Sequence, residues 1–212
     1  MLNIATTRAT NIATRIVFWP CLVDMLTSVL MVFLLVYFIQ ATLGQKDLEA
    51  QLIRRNQETF VAGFREDFAQ EIIDKTVAVR QDLNLIQLTF SDRILFPPRE
   101  YVLQPTGKAA LKRCAILFNR TGQSGFKQIQ VEGHTDIERL TSGSYPRDNW
   151  DLSTGRAISV VKFLIENGVK ENLLSANGYA ANKPVDQRET AEALAKNRRI
   201  EIRIIFSTPE RQ

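Results

Sequence analysis

The spacing of apolar residues changes character twice along this chain, and each change predicts a different kind of element. Residues 16–39 read IVFWPCLVDMLTSVLMVFLLVYFI, and Asp24 is their only formal charge. A helix rising ~1.5 Å per residue over such a run spans a bilayer. The pattern predicts a transmembrane helix over residues 16–40, behind a short tail, 1–15. A secretory signal has an apolar stretch of only ~7–15 residues and ends in a small-residue cleavage site. This run is longer and leads into Gln40-Ala41-Thr42-Leu43-Gly44, so an uncleaved anchor is expected. Residues 41–84 are polar and free of proline, with Leu48, Leu52, Phe60, Phe64, Phe68 and Ile72 at multiples of four. A four-residue step overshoots the helical period, so this helical connector carries a stripe that drifts around its surface. Two readings stay open: a spacer helix with a partner-facing stripe, or a regulatory segment lying on the membrane or a sister chain. Three phenylalanines in succession expose too much apolar surface for a free helix. Contact with a sister chain or a second subunit is therefore expected there.

From residue 85 the pattern alternates between the two periods. Residues 85–90, 126–131, 173–179 and 200–205 read as strands. Residues 106–118, 150–166 and 190–196 read as helices. The helix over 150–166 is the best marked, with Ala157, Val160, Val161 and Leu164 on one face and Asn167-Gly168 as its stop. The expected fold class is α+β: one transmembrane helix, the connector, then an α/β sandwich over 85–206. Its mixed sheet has helices on one face, and residues 207–212 form a tail.

Charge and composition narrow the possibilities. The tail 1–15 carries Arg8 and Arg15 and no acid, whereas Lys46 on the far side is mixed with Asp47 and Glu49. The positive-inside rule then puts the N-terminus in the cytoplasm and the rest outside it, as a single-pass membrane protein. A net charge of +4, without a basic run, gives no sign of nucleic-acid binding. Cys21 and Cys114 fall in different compartments, so no disulfide is expected. His134 is the only histidine, and no metal site is expected.

A carboxylate within a span costs at least ~2.5 kcal/mol and is by default functional. At helical spacing Cys21, Asp24, Thr27, Ser28 and Met31 share one stripe. Asp24 is therefore the candidate ion carrier, with Thr27 and Ser28 supporting the ion path. The competing reading is an aspartate that only locks two helices together. Pro20 lies one turn earlier, either in the first helical turn or inside the helix, where it leaves the Ile16 carbonyl unpaired.

Phe18-Trp19 followed by Asp24-Met25-Leu26-Thr27 and an apolar run resembles the single span of MotB-type motor stator subunits. Three blocks further along resemble the OmpA-like peptidoglycan-binding domain. They are Val131-Glu132-Gly133-His134-Thr135-Asp136, then Asn149-Trp150-Asp151-Leu152-Ser153-Thr154-Gly155-Arg156-Ala157, then Asn197-Arg198-Arg199-Ile200-Glu201-Ile202. The loop between Asp136 and Asn149 is longer than in plain OmpA-like domains. The resemblance implies a homodimer working inside a ring, a pentamer, of MotA-like channel subunits, anchored to peptidoglycan. No cofactor is implied beyond the transported ion, H⁺ or Na⁺, and no enzymatic activity. It maps recognition of the diaminopimelate stem peptide onto Asp136, for the ammonium, and Arg156, whose planar fork suits a carboxylate. Thr135, Asn149 and Arg199 are expected as secondary contacts. Asp136 and Arg156 are alternatively a structural salt bridge. The short tail and connector are similar to the MotB-like subunit of Zorya anti-phage defence systems. A flagellar stator or a passive wall tether is the alternative.

Overall fold

The computed structural model describes residues 3–83, 85–140 and 145–206 and divides into two units, Met1–Glu49 and Ala50–Gln212. Helix α1 (Asn3–Asp67) begins in the first unit. Its segment Leu22–Leu43 has a mean hydropathy of 2.4 and no buried residue, so it is long and apolar enough to cross a membrane. Pro20 lies within α1, which selects the interior placement and removes one backbone donor there.

The second unit is built on one sheet in the order β1-β2-β5-β3-β4. Its strands are β1 (Val77–Gln81), β2 (Leu85–Ser91), β3 (Phe126–His134), β4 (Leu174–Gly178) and β5 (Arg199–Phe206). Only β3 and β4 pair in parallel; the other neighbours are antiparallel. The remaining helices are α2 (Ala69–Ile73), α3 (Asp92–Leu95), α4 (Pro105–Thr121), α5 (Asn149–Glu166) and α6 (Ala191–Asn197). Period-two alternation sorts the strands' side chains. Ile86, Leu88 and Phe90 of β2, Ile129 and Val131 of β3, and Ile200, Ile202 and Ile204 of β5 join one core. Leu111, Ala115 and Phe118 of α4 and Ala157, Val160 and Leu164 of α5 close it from the helical side. The residues between those strand positions, Glu132, Arg199, Glu201 and Arg203 among them, face the other way.

The segment 41–84 departs from the expected connector in two respects. Residues 77–81 are a strand, not helix, and β1 pairs along its whole length with β2, from Val77↔Phe90 to Gln81↔Ile86. The break comes at Lys75, which takes φ 56°, a left-handed turn that ends helical geometry. The β-branched Thr76, Val77 and Val79 then favour extension. The phenylalanine stripe also has a different partner. Phe60, Phe64 and Phe68 are all fully buried within the second unit's own core. Phe60 stacks on Phe118 at 5.6 Å and meets Phe126 edge-on at 6.3 Å; Phe64 and Phe68 meet Phe90 edge-on at 6.3 and 5.8 Å. The Arg113 guanidinium covers the Phe68 ring at 4.2 Å. No sister chain or second subunit is needed to shield this stripe. Leu52 of the same series stays exposed. The globular unit therefore begins well before residue 85.

Phe60→Ala or Phe64→Ala is accordingly expected to cost the domain ~3–5 kcal/mol, as a buried aromatic truncation. A fragment of residues 85–212 should unfold at much lower denaturant than one of residues 50–212. Equal urea midpoints for the two fragments would return the stripe to a spacer role.

Candidate functional site

The site lies where the loop after β3 meets the first turns of α5. Two glycines set its depth. Gly133 and Gly178 face each other across the β3–β4 pair, and α5 presses its Ser153–Thr154 backbone onto both. A Cβ on Gly133 would lie 2.1 Å from the Ser153 carbonyl oxygen, and one on Gly178 2.7 Å from the Thr154 nitrogen, distances no side chain tolerates. The same contact is tied by Ser153 Oγ, which accepts the Ala180 N–H at 3.0 Å. Asp148 caps α5 by accepting the Asp151 N–H at 2.9 Å.

Thr135, Asp136, Asn149 and Arg156 all line one cavity of about 540 Å³, so four of the five expected wall-binding residues are brought together. Their individual partners differ from expectation. Arg156 does not bridge to Asp136. It is buried, with Nη1 donating to Asp92 Oδ2 at 3.1 Å and Nε to the Glu100 carbonyl at 2.8 Å. Its guanidinium also lies 5.1 Å from the Phe96 ring centroid. Asp136 instead pairs with Arg198 Nη1, and its Oδ1 accepts the Glu138 N–H at 3.1 Å. Asn149 is an organiser of the rim: Nδ2 donates to the Glu138 carbonyl at 2.8 Å and Oδ1 accepts the Leu140 N–H at 3.2 Å. Residues 141–144 of the long loop lie outside the described residues. Thr135 Oγ1 donates to the Asp136 carbonyl at 3.0 Å.

Arg199 lies apart from this cavity. It is the first residue of β5, and strand alternation turns it with Glu201 to the opposite sheet face. There it is buried against Glu201 and the carbonyls of Asn197 and Lys183. Its neighbour Arg198, still in the α6 cap, lines the cavity in its place. Asp92 was not singled out by sequence reasoning; an acid directly after an alternating strand reads as an ordinary helix start. Arg198 was visible in the Asn197-Arg198-Arg199 block, and phasing the β5 alternation would have separated it from Arg199.

Burial acts on both members of the central pair. It raises the Asp92 carboxyl above its ordinary value, against the opposing pull of Arg156 and then Arg198. It lowers the Arg156 guanidinium, against the pull of Asp92. Desolvation outweighs attraction on both sides, the usual balance for a buried ion pair.

His134 is buried on the far sheet face, stacked on Tyr179 with ring centroids 5.3 Å apart. Neither ring nitrogen has a hydrogen-bond partner. With Glu132 and Glu201 it presents three ligand atoms within 4.8 Å of one another, a closer grouping than the single histidine suggested. Arg203 and Arg199 already pair with those two carboxylates, so a divalent ion would add its charge beside two guanidiniums.

In the first unit Thr27 and Ser28 do share a face with Asp24, which is exposed. Their hydroxyls donate to the Asp24 backbone carbonyl at 2.9 and 2.8 Å, not to its carboxylate. This satisfies both hydroxyls within the helix itself, as a span requires.

Residues 95–198 match the OmpA family. The second unit carries an OmpA-like domain. Motility protein B of Bacillus subtilis (strain 168) is 31% identical over 121 residues, covering 54% of this chain and 46% of its own. YtxE of the same strain is 34% identical over 130 residues, 59% of this chain and 50% of its own. The chain thus spans about half the length of these relatives. A MotB-like protein from Desulfovibrio vulgaris shares the fold, with a TM-score of 0.67 at 24% identity over 76% of this chain and 99% of that one. That share is too large for residues 95–212 alone, so the likeness takes in part of the preceding segment. The cell wall anchor of the T6SS from Pseudomonas aeruginosa has a TM-score of 0.60 at 27% identity, over 68% of this chain and 96% of that one. The chain is similar to motility protein B over about half its length, and Asp92 precedes the stretch that matches the OmpA family.

Arg156→Ala leaves Asp92 buried without its nearest counter-charge and is expected to destabilise the domain by ~3–5 kcal/mol at neutral pH. A buried acid with a raised pKa keeps its folded-state contribution below the ordinary carboxylate range and loses it as pH rises through the raised value. The deficit of the variant should therefore shrink on acidification, read from denaturant unfolding between about pH 4 and about pH 8. A deficit independent of pH would mean that Asp92 does not carry the cost.

Proposed function

We propose that this chain is the wall-anchored B subunit of an ion-driven inner-membrane motor. The observation that carries the reading is the cavity joining Thr135, Asp136, Asn149 and Arg156 in an OmpA-like domain, on a chain whose one candidate span among the described residues bears Asp24. The cavity takes the diaminopimelate of a peptidoglycan stem peptide. Its walls offer both signs of charge, with Asp92 and Asp136 against Arg156 and Arg198. Bridging groups of this kind recognise a zwitterion through charge-assisted hydrogen bonds. The chain works as a homodimer within a pentameric ring of MotA-like subunits, N-terminus in the cytoplasm and domain in the periplasm. H⁺ or Na⁺ passes by way of Asp24. No catalytic step is part of this role.

The finer proposal is a Zorya-type antiviral motor. Ile53 already packs against the core while the candidate span ends at Leu43, so residues 44–52 lie between them in the sequence, a compact plan that supports defence over a flagellar stator. Deleting the gene should raise phage plaque counts and leave swimming unchanged; lost swimming with unchanged plaque counts assigns the flagellar role.

Two measurements test the wider reading. The full chain should co-sediment with purified sacculi, and Asp136→Ala should weaken that binding by at least about tenfold, since it strands a charged partner. Asp24→Asn should abolish ion flux while leaving expression and sacculus binding intact. Normal function of the Asp24→Asn protein would reduce the chain to a passive tether.

A further inference from the structure

A second cavity, of about 300 Å³, opens beside the first. Five cations and one acid line it: Lys75, Arg93, Lys196, Arg198 and Arg199, with Glu201. Some of that charge is already matched. Arg199 pairs with Glu201, Arg198 with Asp136, and Lys196 Nζ lies 3.5 Å from Asp186 Oδ2. Lys75 and Arg93 are exposed, and among the described residues neither has a carboxylate within ion-pair distance. They come from different elements, Lys75 from the turn before β1 and Arg93 from α3. The cavity therefore has a surplus of positive charge on two of its sides, a field that draws an anion in. Thr89 and Ser91 of β2 also line it and add hydroxyl donors.

Arg93 and Arg198 line both cavities, so the two are adjoining compartments of one groove. We propose that the second cavity is an oxyanion subsite that holds a further carboxylate of the same wall peptide, the one at the peptide's C-terminal end. The inference rests on the wall-peptide reading of the first cavity. A peptide advances at most ~3.6 Å per residue. The diaminopimelate side chain adds its own length between the free zwitterionic end and the following residue, so a zwitterion seated in the first cavity leaves the terminal carboxylate more than one such step away, on the side where the Arg93–Arg198 wall is shared with the second cavity. Lys75 and the start of β1 precede the residues that match the OmpA family. The subsite draws on residues outside that matched stretch, and it makes the site selective for uncapped peptide ends.

The test uses the full chain in detergent and isothermal titration with four ligands: diaminopimelate, a stem tetrapeptide with a free C-terminal acid, its C-terminal amide, and inorganic phosphate. Wild type should bind the acid about tenfold more tightly than the amide, the scale of one charge-assisted contact. Lys75→Glu/Lys196→Glu places its changes at exposed positions outside the first cavity. It should bring the acid-to-amide ratio to about one, with affinity for diaminopimelate unchanged. Equal binding of acid and amide by wild type overturns the subsite, as does a ratio that survives in the double variant. A double variant that loses inorganic phosphate binding while still preferring the acid would make the cavity a phosphate site instead. Failure of wild type to bind any of the three peptidoglycan ligands would count against the wall-peptide reading itself, a separate outcome.

Discussion

The seating of α5 on Gly133 and Gly178 is the constraint from which the site follows. The two glycines face each other on β3 and β4, and no side chain is tolerated at either. That contact sets how deeply the helix start sits on the sheet. Arg156, one turn further on, is thereby carried under the β2–α3 junction, where Asp92 and the Glu100 carbonyl receive it. A larger residue at position 133 would lift the helix and leave Arg156 and Asp92 each buried without the other, the costly outcome for a desolvated charge.

The charges around the cavity form linked pairs instead of one bridge. Asp92 takes Arg156, Asp136 takes Arg198, and Arg198 also approaches Asp92, at 3.9 Å. Arg156 is the most enclosed of them, and its donors are directed at protein acceptors. It braces the floor, whereas Arg198 is a third exposed and lines the cavity. The family resemblance implied carboxylate recognition for Arg156, and Arg198 was not among the residues it singled out.

The phenylalanine series ties the end of α1 to the same domain. Phe60, Phe64 and Phe68 share a core with Phe90, Phe118 and Phe126, and burial of that much aromatic surface is a large stabilisation. Any load borne by residues 60–68 is passed directly to the sheet and α4, as the proposed wall anchor would require.

Much was legible in local pattern. The apolar run around Asp24, the strands at β2, β3, β4 and β5, and helices α4, α5 and α6 all follow from periodicities of 2 and 3.6. Four residues of the cavity, Thr135, Asp136, Asn149 and Arg156, followed from motif order, whereas Arg199 lies outside it and Asp92 was missed. Three things escaped that reading: strand β1, the inward facing of the phenylalanine stripe, and the exchange of partners among Asp92, Asp136, Arg156 and Arg198. Periodicity states which side of an element is apolar, because that depends on neighbours three or four positions away. What covers that side, and which acid a given arginine meets, depends on segments tens of residues apart being packed together. Phe64 meeting Phe90, and Arg156 meeting Asp92 across 64 positions, are decided only when the sheet and its helices close on one another.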